Sequence, residues 1–214
     1  MKILELFSGT KSFSKVAESL GHEVTTLDWE PKFKPDICMD ILDDNFFNIL
    51  FVEKFDIIWA SPPCTEYSRA KSQGKRNIDY ANKVVLKTME IIKRLKPRFW
   101  IIENPQTGLL KDQNFMKCIP YTDISYCKYG LPYKKQTRLW NNFGFIGKVC
   151  NNDCNFLISG VKRKRHIGSA GCGGKGQGHK ISYSNKPYQR DEKYIVPKEL
   201  CLDIIKFIEI KNEN

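Results

Sequence analysis

No stretch of the sequence approaches the roughly 18 consecutive apolar residues that a membrane-spanning helix needs. The opening "MKILELF" reads as a strand and lacks the apolar core of a secretory leader. We therefore expect no membrane partner and a soluble protein of a reducing compartment, the cytoplasm. Phosphate-binding glycine motifs are also missing. "GCGGKG" does not fit the Gly-x4-Gly-Lys-Ser/Thr loop, and no Gly-x-Gly-x-x-Gly follows the first strand. This argues against ATP-type P-loop chemistry and against NAD. Acidic residues are in deficit, 24 against 35 basic, for a formal charge of +11. A surplus of that size suits a polyanionic partner, nucleic acid first among them.

What remains describes a globular chain. Its 214 residues, 41% hydrophobic and 12% aromatic, suffice for one domain with a small appendage. Eight cysteines are present, most in apolar runs such as "DICMDI" and "ISYC", and are expected to be small core hydrophobes. Strand patterns cover 2–7, 23–28, 55–60 and 98–104, with further strands in "YTDISYC" and "TRLWNNF". Helical periodicity covers 12–20, 80–95 and 196–210, with a further helix near 43–53. Strands that are apolar on both faces and alternate with helices predict an α/β fold with a mostly parallel sheet. Ligands in such sheets bind beyond the carboxyl ends of the strands. Those ends carry "FSGT", "LDWE", "SPPC" and "ENP".

Each of these four ends has a chemical reading. "FSGT" offers a glycine and a helix N-terminus for close approach to a ligand. Asp28 in "LDWE" can accept both ribose hydroxyls of an adenosine cofactor, and Trp29 can cover an adenine face. Asp40 can accept from an adenine amino group or serve as a helix N-cap. An adenosine pocket without Walker chemistry favours S-adenosylmethionine over ATP. Pro62 and Pro63 cannot donate ladder hydrogen bonds, so the strand stops there and Cys64 stands at its mouth. A thiol so placed suits a nucleophile better than a core residue. "ENP" adds a carboxyl at the next strand end, and Arg138 is the candidate cation to favour the thiolate.

In this order the motifs resemble the DNA (cytosine-5) methyltransferase family. "FSGT" matches its first motif, "PPCTEYS" its Pro-Cys motif and "ENP" its Glu-Asn-Val motif. "GLPYKKQTRLW" matches its Gln-x-Arg-x-Arg motif, and "YIVPKELCLDII" its late helix. The resemblance implies a Rossmann-like S-adenosylmethionine-dependent methyltransferase acting on double-stranded DNA. It makes Cys64 the nucleophile, Glu103 the acid that contacts the base, Asn104 a loop support and Ser68 part of a mobile catalytic loop. The cofactor set it implies is Phe7, Ser8, Gly9, Thr10, Asp28, Trp29, Asp40, Ile41, Ser61 and Pro62. The chain resembles the compact phage- or virus-type members, which would place it in a host cell. The family's last glycine–asparagine motif is absent, so a second copy or a partner chain is a candidate to complete the cofactor pocket. Rival readings are an amino-methylating enzyme, since "SPPC" holds three letters of the Ser-Pro-Pro-aromatic motif, and a non-catalytic DNA- or partner-binding fold.

The expected organisation is a catalytic core at 1–143, a target-recognition region at 144–193 and a terminal helix at 194–214 that packs back on the core. The middle region is rich in Gly, Lys and Arg, and Lys162, Arg163, Lys164 and Arg165 are expected to contact phosphates. Lys71, Lys75 and Arg76 are expected to do so from the catalytic loop. Cys150 and Cys154 have an acceptable zinc-ligand spacing. The downstream His166, Cys172 and His179 are irregular, so no metal is assigned and a hairpin with partly buried cysteines is expected.

Overall fold

A computed structural model describes residues 1–43, 45–50, 54–157, 166 and 194–213. The chain opens with β1 (Lys2–Leu6), α1 (Ser12–Ser19), β2 (Glu23–Asp28), β3 (Ile37–Cys38) and α2 (Phe46–Leu50). It continues with β4 (Ile57–Ala60), α3 (Ile78–Leu95), β5 (Phe99–Pro105), β6 (Tyr121–Ser125), β7 (Gln136–Asn141) and α4 (Lys198–Glu213). Seven strands form one sheet in the order β3-β2-β1-β4-β5-β7-β6. The first five are parallel, whereas β7 runs antiparallel to both β5 and β6.

The apolar runs of β1, β4 and β5 are explained by cover on both faces. On one face α1 stacks Phe13 on Trp59, with ring centroids 4.5 Å apart. Beside it α4 buries Leu200, Cys201, Ile204, Ile205 and Ile208 completely. Full burial of such side chains contributes roughly 1.5–3 kcal/mol each before entropy is counted. On the other face α3 packs Val84, Val85 and Ile91 with Trp140 and Phe46. Helix α3 starts where the Asn77 side chain accepts from the Tyr80 amide at 3.1 Å, and stops at Lys96, in a left-handed conformation before Pro97.

Strand register aligns the functional edge. Leu6 pairs with Leu27 and with Ala60, and Ala60 pairs with Ile102. The residues that follow, 7–10, 28–30, 61–64 and 103–105, therefore lie side by side at the carboxyl edge, with 103–105 still paired to β7 and Asp28 to Cys38. The sheet grows outward in opposite directions from β1 and β4, so the switch point lies between them.

The cysteine expectation needs correction. Cys127, Cys150 and Cys201 are buried, but Cys38 and Cys118 are exposed and Cys64 and Cys154 are half-buried. Cys38 ends a two-residue strand at the edge of the sheet. No described helix is long and apolar enough to cross a membrane.

Candidate active site

The turn after β1 uses left-handed backbone at alternate positions: Phe7 (φ 60°), Gly9 (φ 45°) and Lys11 (φ 55°). Glycine accepts this freely. At Phe7 it costs about 1–2 kcal/mol, so the surroundings must hold it. Asp28 is the main clamp. Its Oδ2 accepts from the Gly9 amide at 2.8 Å and its Oδ1 from the Glu30 amide at 2.9 Å. The Ser8 amide donates to the Leu27 carbonyl at 3.0 Å. The Ser8 hydroxyl is buried without a hydrogen-bond partner among the described residues. A buried orphan hydroxyl at a strand-end turn fits a loop that has to meet a polar ligand.

Of the ten residues expected at the cofactor, Phe7, Asp28, Trp29, Asp40 and Ile41 line one cavity beside this turn. Trp29 is 65% exposed, an unusual state for an indole unless its face is kept for a partner. Asp40 accepts from the Leu42 amide at 2.9 Å, which orients its carboxylate. Ser8, Gly9, Thr10, Ser61 and Pro62 belong to the strand-end turns of the same edge. Thr10 and Ser12 share a hydroxyl hydrogen bond, and Ser61 accepts from the Trp59 indole at 2.9 Å. Thr65, Glu66 and Tyr80 also line the cavity. Thr65 and Glu66 fall within the "PPCTEYS" motif but were given no role, and no sequence signal pointed to Tyr80.

Cys64 lies in a neighbouring cavity with Ser68, Asn104, Pro105, Thr107 and Gly108. Asn104 is fully buried, and its Nδ2 donates to the Pro62 carbonyl at 2.9 Å. One side chain thus ties the proline turn of β4 to the end of β5. Glu103 projects from the opposite face of β5. The buried Tyr126 hydroxyl donates to its Oε1 at 3.1 Å, and Lys135 Nζ lies 3.7 Å from the same oxygen. Burial, followed by the Glu103 charge, pushes the Tyr126 phenol well above its ordinary pKa, so it remains a donor.

Arg138, expected as the cation that favours the Cys64 thiolate, is not among the residues that line the Cys64 cavity. Arg138 pairs in register with Asn104, and its side chain makes two hydrogen bonds to Asp123 at 2.7 and 2.8 Å. Its guanidinium also lies 3.5 Å from the Tyr121 ring centroid. The cation beside the carboxylate is Lys135. The pleat separates the two cations: Leu139 pairs with Glu103, so the two-residue period puts Lys135 on the Glu103 face and Arg138 on the Asn104 face. That parity is a signal available in "KKQTRLW". Tyr126 had none, because its strand pattern continued through it.

The loop after Cys64 is folded onto its own charges. Lys71 Nζ meets both Glu66 oxygens at 2.6 and 2.7 Å, and the Asn77 amide donates to Glu66 at 2.6 Å. These contacts hold the Glu66 carboxyl below its usual range, the Lys71 hydrogen bond first. Arg76 donates to the carbonyls of Glu66, Ser68 and Lys71. Lys71 and Arg76, expected at phosphates, are therefore engaged within the loop, while the Lys75 side chain is exposed. Tyr67 anchors the loop by donating to Asn82 Oδ1 at 2.8 Å. Glu66→Gln should release the staple and speed limited trypsin cleavage after Lys71, Lys75 and Arg76 several-fold. Equal cleavage rates would show that Glu66 does not hold the loop. Lys162, Arg163, Lys164 and Arg165 lie outside the described residues.

A mostly parallel α/β sheet whose switch point is flanked by these two cavities has the architecture of a Rossmann-like methyltransferase. The family model for C-5 cytosine-specific DNA methylases matches residues 1–119. A frog virus 3 (isolate Goorha) protein described as "Probable DNA (cytosine-5)-methyltransferase" is 31% identical over 96% of this chain and 99% of its own length. The chain belongs to the C-5 cytosine-specific DNA methylase family and is an enzyme of that family. One solved structure agrees on the fold. A DNA modification methyltransferase encoded within an E. coli prophage gives a TM-score of 0.51 at 17% identity, over 66% of this chain and 46% of that one. Spodoptera frugiperda DNMT2 gives 0.48 at 16%, over 70% and 55%. The chain spans about half the length of these solved proteins.

Proposed function

We propose that this protein methylates carbon 5 of a cytosine flipped out of double-stranded DNA, through a covalent adduct with Cys64 and with S-adenosylmethionine as donor. The observation that carries the reading is the position of Cys64. It follows the prolines that end β4, and it shares a cavity with Asn104, whose amide holds that turn to β5. The Cys64 thiolate adds to carbon 6, and the ring electrons shift toward nitrogen 3. Glu103 is assigned to nitrogen 3. Tyr126 and Lys135 both act on its Oε1, which leaves Oε2 as the oxygen assigned to the base. Carbon 5 becomes an enamine carbon and can attack an electrophile. The bound donor supplies a methyl group on a sulfonium. A base or water then takes the carbon 5 proton, the carbon 6–sulfur bond breaks and Cys64 is restored.

For the cofactor, Asp28 is assigned to the ribose hydroxyls, Trp29 to the adenine face and Asp40 to the adenine amino group. The residues suit this group: a carboxylate has about four acceptor sites, and backbone amides occupy two at Asp28. Asp28→Ala should weaken S-adenosylmethionine binding at least about tenfold, the scale of one lost charged hydrogen bond, with DNA affinity unchanged. Calorimetry with an unaltered dissociation constant would remove Asp28 from the site. Residues 144–193 are assigned to target reading, with Lys162, Arg163, Lys164 and Arg165 on phosphates.

Duplex DNA carrying 5-fluorocytosine tests the whole reading, because fluorine cannot leave as the carbon 5 proton does. With S-adenosylmethionine it should give a complex stable to SDS, with the DNA mapped by mass spectrometry to the Cys64 peptide. No adduct and no methyl incorporation would overturn the proposal. An adduct on structured RNA alone would move the substrate to RNA.

A further inference from the structure

Apart from the cavities at β1, β4 and β5, four metal-binding side chains converge near the end of β6. They are Cys127, Cys150, Cys154 and His166, and their ligand atoms all lie within 4.8 Å of one another. Cys150 Sγ and His166 Nε2 are 3.5 Å apart. A tetrahedral zinc with its usual bond lengths implies ligand edges of about 3.8 Å between sulfurs and about 3.6 Å between sulfur and nitrogen. The cluster has the ligand types, number and spacing of such a site.

Three separate pieces of chain build it. Cys127 stands in the short 3-10 turn Tyr126–Tyr129. Cys150 and Cys154 follow β7 with three residues between them, and Asn152 in that gap is left-handed (φ 61°). His166 returns through an antiparallel bridge to Leu157. The surroundings fix the ligands. The Cys150 amide donates to Ser125 Oγ at 3.1 Å, and Lys134 Nζ donates to the Cys150 carbonyl at 2.9 Å. Lys128 pairs with Asp153 at 2.9 Å. The Asp153 and Asn152 amides donate hydrogen bonds toward the Cys150 sulfur. Amides aimed at sulfur stabilise the anionic form that a metal requires. None of the three cysteines is in a disulfide.

We propose that Cys127, Cys150, Cys154 and His166 hold one zinc ion as a structural site. Four protein ligands complete a tetrahedron and leave no open position, so the site cross-links and does no chemistry. The cross-link joins the turn that carries Tyr126, the donor to Glu103, to the start of the 144–193 segment. Cys127 escaped the sequence pattern because it lies far upstream in an apparent strand.

Zinc content per chain and cobalt substitution test this. Protein purified without chelator should carry one zinc per chain. After exchange, Co(II) should give visible d–d bands of a tetrahedral site and near-ultraviolet charge transfer with the intensity of three thiolates. Cys127→Ser, Cys150→Ser, Cys154→Ser and His166→Ala should each retain zinc at least tenfold less well against a competing chelator, while Cys118→Ser, at an exposed cysteine, should match wild type. If the ligand variants fail to fold, the cobalt spectrum of the wild type still decides. Zinc-free protein that yields no cobalt bands under reducing conditions would overturn the proposal, as would a Cys150–Cys154 disulfide in freshly isolated protein. Unaltered zinc retention in Cys127→Ser would equally overturn this ligand set.

Discussion

Serine at position 64 is expected to lower methyl transfer by at least about a thousandfold while leaving DNA and cofactor binding within about twofold. The substitution exchanges sulfur for a smaller oxygen and removes little volume, so Asn104 can still hold the turn through the Pro62 carbonyl. What changes is the nucleophile. A serine hydroxyl stays protonated at neutral pH, and the Cys64 cavity as described contains no histidine to take its proton. Addition to carbon 6 is then blocked, and carbon 5 is never activated. Single-turnover transfer of a labelled methyl group, with DNA binding measured in parallel, separates the two effects. A variant within tenfold of wild type would dismiss covalent catalysis at this residue and favour amino-group methylation. Loss of DNA binding together with activity would mean that Cys64 is structural.

Glu5→Gln is expected to remove most of the dependence of stability on pH between about 4.5 and 7. Glu5 lies on β1 beneath α1, nearly inaccessible, and its Oε2 accepts from the Ser14 amide at 3.0 Å and from the Ser14 hydroxyl. Burial pushes its carboxyl up to about 7, against the pull of the Ser14 hydrogen bonds. Between the unfolded value and 7 the folded chain holds a proton that the unfolded chain releases. The contribution is therefore complete below about pH 4.5, falls as pH rises and is gone above about 7. Its size is about 3 kcal/mol, from 1.36 kcal/mol per pKa unit. Glutamine is neutral at every pH and keeps an acceptor for Ser14. Above pH 7 the variant should therefore be the more stable protein, by up to that amount, or by roughly 6–12 °C in Tm. Thermal melts from pH 4 to 8 would show two diverging profiles. Parallel profiles would mean that Glu5 is ionised at no cost in the native state.

How much of this was readable depended on the range of the signal. Helix α3 was legible because its apolar period is local and its ends carry Asn77 and Pro97. The parallel strands were legible because two-sided cover leaves an apolar run. "SPPC" fell at a strand end because Pro62 and Pro63 cannot extend the ladder of β4, "ENP" closes β5, and register then brought Asn104 to Pro62. The insertion of β7 between β5 and β6 was not legible, since strand order is set by long-range pairing that no period encodes. The same limit hid the partners of Glu103. Tyr126 lies on a turn after β6, and Lys135 is distinguished from Arg138 only by the face it occupies. Cys127 read as a core residue because "ISYC" is locally no different from any strand. The loop's internal contacts were hidden for another reason: composition counts charges but cannot show that Glu66 and backbone carbonyls engage Lys71 and Arg76.

The cover that α4 gives to one sheet face has a bearing on how the chain is made. The residues it closes over, among them Ile3, Trp59, Ile101 and Leu139, belong to strands that are all complete by Asn141. Helix α4 does not begin until Lys198. At ribosomal speeds of 5–20 residues per second, the nascent sheet waits on the order of ten seconds with that face half bare. In that interval the exposed strands are a ready target for chaperones and for other nascent copies. Slower translation through the intervening segment should therefore lower the soluble yield, even though it changes no residue of the finished protein.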